Sequence, residues 1–148
     1  MLTVGTDTYI TVEEVGTYAA DSPFYQSFLA LSTEQKESML RKAALHIDLL
    51  PLTGRKKSVF QTMAFPRDDQ TNVPENVKAA QALEALAYLD TESLKRQDLQ
   101  NQGVTSVSLG QVSESYGSAV QSGIFSAVHS REAYLLLRKY LAGSAVIV

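Results

Sequence analysis

Cysteine is absent from this chain of 148 residues. Disulfides and thiolate metal sites are therefore excluded, a composition that suits an intracellular protein. Long apolar runs are also missing: no stretch reaches the roughly 18 residues that would signal a membrane span. The opening Met1-Leu2-Thr3-Val4-Gly5-Thr6-Asp7 has neither a basic n-region nor an apolar h-region, so no signal peptide is expected. Positive charge is scarce. The formal net charge is −3 and the isoelectric point about 5.3. Proteins that bind nucleic acid by releasing counterions usually carry a basic face. Here the basic residues gather only in Arg55-Lys56-Lys57, so general nucleic-acid binding is not favoured and a local patch stays open.

The signatures of catalysis are lacking as well. There is no Walker motif and no Asp-x-Asp-x-Asp-Gly loop. Gly110, Gly117 and Gly123 form no phosphate-binding fingerprint, and no serine sits in a nucleophile elbow. Asp68-Asp69, with Asp90 and Glu92, reads as solvated or paired with Arg67 rather than as a divalent-cation site. The chain has two histidines, His46 and His129, and neither has a carboxylate or the other histidine at ligand spacing. They read as ordinary surface or boundary residues, since zinc needs several convergent ligands. No enzymatic activity, cofactor or metal is expected.

What is present is an ordinary globular composition, 45% hydrophobic and 20% charged. A chain of this size buries roughly two-thirds of its unfolded surface and can fold as one domain, taken here as residues 1–148. Thr11-Val12-Glu13-Glu14 is a capping box that opens a short helix, which Asp21-Ser22-Pro23 breaks. A second helical piece is expected over Phe24 to Leu31. Ser32-Thr33-Glu34-Gln35 is another capping box, and its helix should run to about Leu50, where Pro51 and Gly54 end it. Residues 52–72 read as a long loop, a length that is usually functional. Pro74 suits the first turn of the next helix. On that helix Val77, Ala80, Leu83, Ala87 and Leu94 mark one face, and fraying is expected near 97–102. Alternation over 104–109 and, more loosely, 112–116 reads as a β-hairpin. Ser130 caps a last helix, Arg131 to Leu141, ahead of a tail at 143–148. The expected fold is mainly α: a small helical bundle over about 11–100 and 130–142, an inserted β-hairpin over about 104–116, and an extended C-terminal tail.

Several groups allow two readings. Arg55, Lys56 and Lys57 are either a solvated loop tip or a patch for phosphates or another anionic surface. In Phe65-Pro66-Arg67, Phe65 is expected to enter the core and Pro66 to fix the turn. The Arg67 fork then serves either backbone carbonyls and carboxylates within the chain or a subunit interface. Ala133, Tyr134, Leu135, Leu136, Leu137, Tyr140 and Leu141 cover more than one face of the last helix. That helix is either a central core helix or one that needs a partner surface. The apolar Ala145-Val146-Ile147-Val148 either folds back or adds as a strand to a partner.

The order of these motifs resembles the head–tail connector (adaptor) proteins of tailed bacteriophages. Tyr9-Ile10-Thr11-Val12-Glu13-Glu14 with Tyr18 is similar to the opening "Y-I-[ST]-x-x-E-A-x-x-Y" of that family. Lys42-Ala43-Ala44-Leu45-His46-Ile47-Asp48 resembles its "A-[ST]-x-x-I-D" helix. Gly54, Gln61, Phe65-Pro66-Arg67 and Val73-Pro74-Glu75-Asn76-Val77-Lys78-Ala79-Ala80 follow in the family's order. Leu109-Gly110-Gln111-Val112-Ser113-Glu114-Ser115-Tyr116 resembles its "G-x-[VI]-x-x-x-Y" hairpin. The chain departs from it in having no Trp, which many relatives carry where Phe24 or Phe65 stands, and in Val15, where a small residue is usual.

The resemblance implies a virion structural protein of the neck, assembled in the host cytoplasm as a dodecameric ring beneath the portal. It implies as partners the portal protein, a stopper or tail-completion protein, and double-stranded DNA passing through the lumen without sequence specificity; no membrane is involved. On this reading Tyr134, Leu137, Tyr140, Leu141, Ala145, Val146, Ile147 and Val148 meet the portal. Arg67, Val107, Leu109, Val112 and Tyr116 meet neighbouring subunits or the next ring, and Arg55, Lys56 and Lys57 line the DNA channel. Chains of this pattern are also grouped as DnaT-like single-stranded DNA-binding proteins, which implies a replication accessory instead. That alternative asks for aromatic stacking platforms beside basic residues; Phe60 and Phe65 are the aromatics near Arg55-Lys56-Lys57 in sequence, and the acidic composition argues against it.

Overall fold

A computed structural model of the protein describes residues 1–92, 94–95, 99 and 128–142, together with the backbone of two strands, 106–109 and 112–115. The protein is mainly helical. The helices are α1 (Val15–Ala19), α2 (Tyr25–Leu29), α3 (Thr33–Asp48), α4 (Glu75–Ala87) and α5 (Arg131–Leu137), and a 3₁₀ turn at Arg138–Tyr140 follows α5. The strands β1 (Ser106–Leu109) and β2 (Val112–Ser115) pair antiparallel, with Ser106 opposite Ser115 and Leu109 opposite Val112. The rest of the expected hairpin and the tail at 143–148 lie outside the described residues.

Local hydrogen bonds start the helices. Before α1, the Thr11 N–H donates to Glu14 Oε1 at 2.9 Å and the Glu14 N–H to Thr11 Oγ1 at 3.2 Å. That reciprocal pair is a capping box, although regular helix begins only at Val15. Ser32 and Gln35 make the same box ahead of α3, and Ser130 Oγ accepts the Ala133 N–H at 3.1 Å ahead of α5. Pro74 stands one residue before α4, as its cap, with Glu75 in the first turn where the helix dipole favours an anion.

Helix α4 is the hub and packs against α1, α3 and α5. Val77 and Ala80 face one apolar cluster, with Tyr9, Ile47, Phe65, Ala133, Leu137 and Leu141. Ala82, Ala85 and Leu86 face another, with Ile10, Val15, Phe28 and Leu40. Alanine at 80, 82 and 85 lets three helices approach one axis, and all three are fully buried. The expected α4 was too long. It ends at Ala87; after a break at 88–90 the described residues 91–92, 94–95 and 99 are again helical, with the Leu94 N–H donating to the Asp90 carbonyl. Its apolar stripe was also incomplete, because the polar Gln81 and Glu84 are fully buried on it.

Gln81 joins the N-terminal arm to two helices. Its Oε1 accepts the Tyr9 N–H at 2.9 Å, and its Nε2 donates to Thr8 Oγ1 at 2.6 Å and to the Leu40 carbonyl at 2.9 Å. Nearby, the Tyr9 hydroxyl donates to Asp48 and accepts the Phe65 N–H at 3.2 Å. Burial raises the Asp48 carboxyl above the ordinary carboxylate range, against the lowering pull of Tyr9, the Ala64 N–H, Lys56 and Arg67.

Residues 52–72 form a tied loop. Phe65 is buried between Tyr9 and Tyr140, both edge-on, with ring centroids at 6.0 and 5.3 Å. The Phe65–Pro66 peptide is cis. Arg67 donates to three carbonyls: Nε to Thr53 at 2.8 Å, Nη1 to Ala64 at 3.2 Å and Nη2 to Gly54 at 2.8 Å. The internal reading of its fork is therefore the one the fold uses. Gly54 has a φ of +75°, and a Cβ there would stand 2.1 Å from Asp68 Oδ2. Glycine is required at this position by both backbone and space.

Three outcomes test this account. Gln81→Leu strands the Tyr9 N–H and removes the second hydrogen bond of the Leu40 carbonyl, which keeps its helical one, and should lower unfolding free energy by roughly 1–3 kcal/mol in urea titrations. Arg67→Ala should cost about 1.5–3 kcal/mol in the same titration, whereas Arg55→Ala should stay within about 0.5 kcal/mol of the parent. For Asp48, folding favours the protonated form. Its contribution is fully present below the unfolded carboxyl value and is lost as pH rises through the raised folded one. Asp48→Asn should thus gain stability relative to the parent at neutral pH, and that gain should shrink in thermal melts taken at acid pH.

Candidate nucleic-acid interface

The tied loop presents a small platform. Its two legs pair as a short antiparallel ladder. The Lys57 N–H donates to the Pro66 carbonyl at 3.0 Å and the Asp68 N–H to the Arg55 carbonyl at 2.8 Å, with Lys56 opposite Arg67. The Arg55 N–H donates to Asp68 Oδ1 at 3.1 Å. At the tip, Ser58 and Gln61 close a turn. The Gln61 N–H donates to the Ser58 carbonyl at 3.3 Å, the Ser58 N–H to Gln61 Oε1 at 3.0 Å, and the Phe60 N–H to Ser58 Oγ at 3.2 Å. Gln61 Nε2 then donates to the carbonyls of Met63 and Pro66, each at 2.9 Å. One glutamine side chain thereby braces the tip against the base.

Val59 and Phe60 stand on that braced turn, 87% and 93% exposed. A fully exposed phenylalanine loses the burial energy that normally places it inside, about 2–3 kcal/mol. It is held out by a turn that Ser58 and Gln61 close with their own side chains. Arg55, Lys56 and Lys57 are exposed on the adjoining leg. Lys57 Nζ donates to the Gln70 carbonyl at 2.7 Å, which fixes one ammonium beside the ladder. The two aromatics near the basic cluster therefore part company: Phe65 is core and Phe60 is surface. Phe65 enters the core as its place in Phe65-Pro66-Arg67 predicts, and the exposure of Phe60 is what the structure adds.

The surface expected of the last helix is largely absent. Leu137 is fully buried and Leu141 3% exposed, both in the core around Phe65 and Val77. Tyr134 and Tyr140 are partly buried against the same cluster. Leu137 and Leu141 hold α5 to the bundle, which is the core-helix reading and corrects the assignment of these two as a partner-facing surface; Tyr134 and Tyr140 keep part of their surface exposed. Leu135 is the outward leucine, 41% exposed. The backbone of Val107, Leu109 and Val112 lies in the paired strands. Tyr116, Ala145, Val146, Ile147 and Val148 fall outside the described residues.

A second polar centre was missed in the sequence. Both oxygens of buried Glu84 accept the His129 N–H at 2.9 Å, and Oε1 also accepts the Ser130 N–H at 2.8 Å. His46 Nδ1 lies 3.1 Å from Glu84 Oε2, and the Tyr88 hydroxyl donates to that oxygen at 3.2 Å. Burial, and then the Glu84 charge, push the Tyr88 phenol above its ordinary range. The available signal was a glutamate at position 84, in line with Val77, Ala80 and Gln81 on the apolar stripe of α4.

A family model matches residues 2–148, and its description reads "Putative DnaT-like ssDNA binding protein". No protein of curated function and no solved structure matches the chain. The match corrects the reading of the chain as a head–tail connector. It describes DNA binding and gives no support to a virion neck, portal attachment, a packaging channel or a dodecameric ring. On a match that spans residues 2–148, the chain belongs to this family of DnaT-like single-stranded DNA-binding proteins.

Proposed function

We propose that the protein binds single-stranded DNA through the tied loop, with Phe60 as the stacking platform and Arg55, Lys56 and Lys57 as the phosphate contacts. The observation that carries this reading is Phe60, 93% exposed on a turn braced by Gln61 and adjoining the basic leg. Base stacking on an aromatic face tolerates any sequence, and nearby cations track the backbone. The family match supports the same class of ligand. The role is binding, without catalysis.

The overall charge of −3 bears on strength rather than on kind. An acidic body repels a polyanion over about a Debye length, roughly 8 Å at physiological salt. Contact through one small basic leg should then be modest in affinity and should fall as salt rises. Duplex DNA keeps its bases stacked and offers Phe60 no free face, so single strands are the preferred form.

Fluorescence anisotropy with a labelled oligothymidylate at fixed low salt tests the proposal. Phe60→Ala should weaken binding by about 5- to 150-fold, the equivalent of roughly 1–3 kcal/mol per stacked base. Replacing Arg55, Lys56 and Lys57 together with Gln should reduce the log–log salt slope by about 2. Wild-type protein that ignores the single strand, or that binds it as tightly with Ala at position 60, would remove the loop from consideration.

A further inference from the structure

Glu84 is clamped by more groups than a clamp requires. Two backbone N–H groups, those of His129 and Ser130, suffice to tie the lead-in of α5 to α4. They leave unexplained why both histidines of the chain converge on this one carboxylate. The His46 and His129 ring centroids are 5.3 Å apart, and Tyr88 stands 5.6 Å from each. One donor atom from each of His46, Glu84 and His129 lies within 4.8 Å of the others.

We propose that His46, Glu84 and His129 form a binding site for a divalent transition-metal ion, with zinc the best match to the donors. Two imidazole nitrogens and one carboxylate oxygen make a three-ligand set that leaves a fourth position for water. Imidazole selects zinc, cobalt, nickel or copper over magnesium and calcium. In a tetrahedral zinc site with bonds of about 2.0–2.1 Å, ligand atoms stand about 3.4 Å apart. His46 Nδ1 and Glu84 Oε2, at 3.1 Å, are already near that spacing. The imidazole of His129 closes the set by a shift of roughly 1–1.5 Å, toward the spacing such bonds require. On binding, the ion takes the position between His46 Nδ1 and Glu84 Oε2, and His46 Nδ1 gives up its 2.8 Å contact with the Tyr88 hydroxyl. Tyr88 stays as the outer hydrogen-bond donor that orients the carboxylate.

Of the three ligands, His129 faces two clefts, while Glu84 is fully buried. His129 lines one cleft with Ser38, Met39, Lys42, Tyr88 and Leu94, and another whose charged walls are Asp90, Arg131 and Glu132. The second carries the more negative wall and is the favoured entry for a cation. The ligands come from α3, α4 and the lead-in to α5, with Glu84 separated by 38 residues from His46 and by 45 from His129. An ion bound only by the folded chain stabilises that fold by mass action. Its role here is a staple that fixes α5 on the bundle, and it rests on neither the loop nor DNA binding.

The test uses full-length protein without a histidine tag, stripped with EDTA and dialysed. Zn²⁺ is titrated by calorimetry and in thermal melts, and Co²⁺ is followed by its visible d–d bands. The expected result is one ion per chain, a melting temperature that rises with Zn²⁺ but not with Mg²⁺, and cobalt bands of a four-coordinate site. His129→Ala should abolish stoichiometric binding and the zinc-dependent rise. It keeps the backbone N–H that Glu84 accepts, so it decides the matter even if His46→Ala fails to fold. Tyr88→Phe should retain binding, weakened about 10-fold or more. Absence of saturable Zn²⁺ binding, or undiminished binding by His129→Ala, would overturn the proposal and leave Glu84 a backbone clamp alone.

Discussion

The structure depends on two buried polar side chains, one turn apart on α4. Gln81 and Glu84 are both fully buried, and every hydrogen-bonding group they bring into the core meets a partner far away in sequence. Gln81 holds the N-terminal arm and α3. Glu84 holds His46 of α3 and the backbone that leads into α5. Apolar packing around α4 is permissive, because alanines fit against many surfaces. A buried amide or carboxylate is not permissive, since a donor left unmet costs about 1–3 kcal/mol. The pegs therefore select one arrangement of the helices from the several that the alanine faces would allow. Among the described residues no buried side-chain nitrogen or oxygen lacks a partner.

The loop over 52–72 inherits its order from that bundle. Thr53 donates to the Tyr140 carbonyl at 2.7 Å, and the Ala142 N–H to the Pro51 carbonyl at 2.6 Å, so the loop base is tied to the end of α5. Phe65 plugs the core between Tyr9 and Tyr140, and Arg67 gathers three carbonyls over it. With the base fixed, the Ser58–Gln61 turn can hold Phe60 in water. This separates scaffold from surface within thirteen residues: Phe65 and Arg67 build, while Phe60 and the basic leg stay exposed. Net charge averaged over the chain hides such a patch, which is why the acidic composition argued against a DNA ligand that the family match supports.

The connector resemblance drew on the same residues and reached a different function. Its motifs, including Tyr9, Ile47-Asp48, Gly54, Gln61 and Phe65-Pro66-Arg67, are those that build the tied loop and its socket. They describe how a scaffold is held together, and a scaffold motif does not carry a ligand with it. The apolar final helix misled in a related way. Leu137 and Leu141 face the bundle and leave Leu135 outward, so one core satisfies the helix.

By itself the sequence determined what depends on neighbours a few residues apart. The capping boxes at Thr11–Glu14 and Ser32–Gln35 and the Ser130 cap were legible because local geometry fixes them. The mainly helical class followed from the same signals, while the end of α4 was misjudged because the chain breaks at 88–90 and Leu94 belongs to the helical residues that follow the break. Only the tertiary structure decided that Phe60 stands out in solvent, that Arg67 turns inward, and that His46, Glu84 and His129 share one centre. Each of those outcomes joins groups brought together by packing, and spacing along the chain holds no record of which distant donor a buried acceptor will meet.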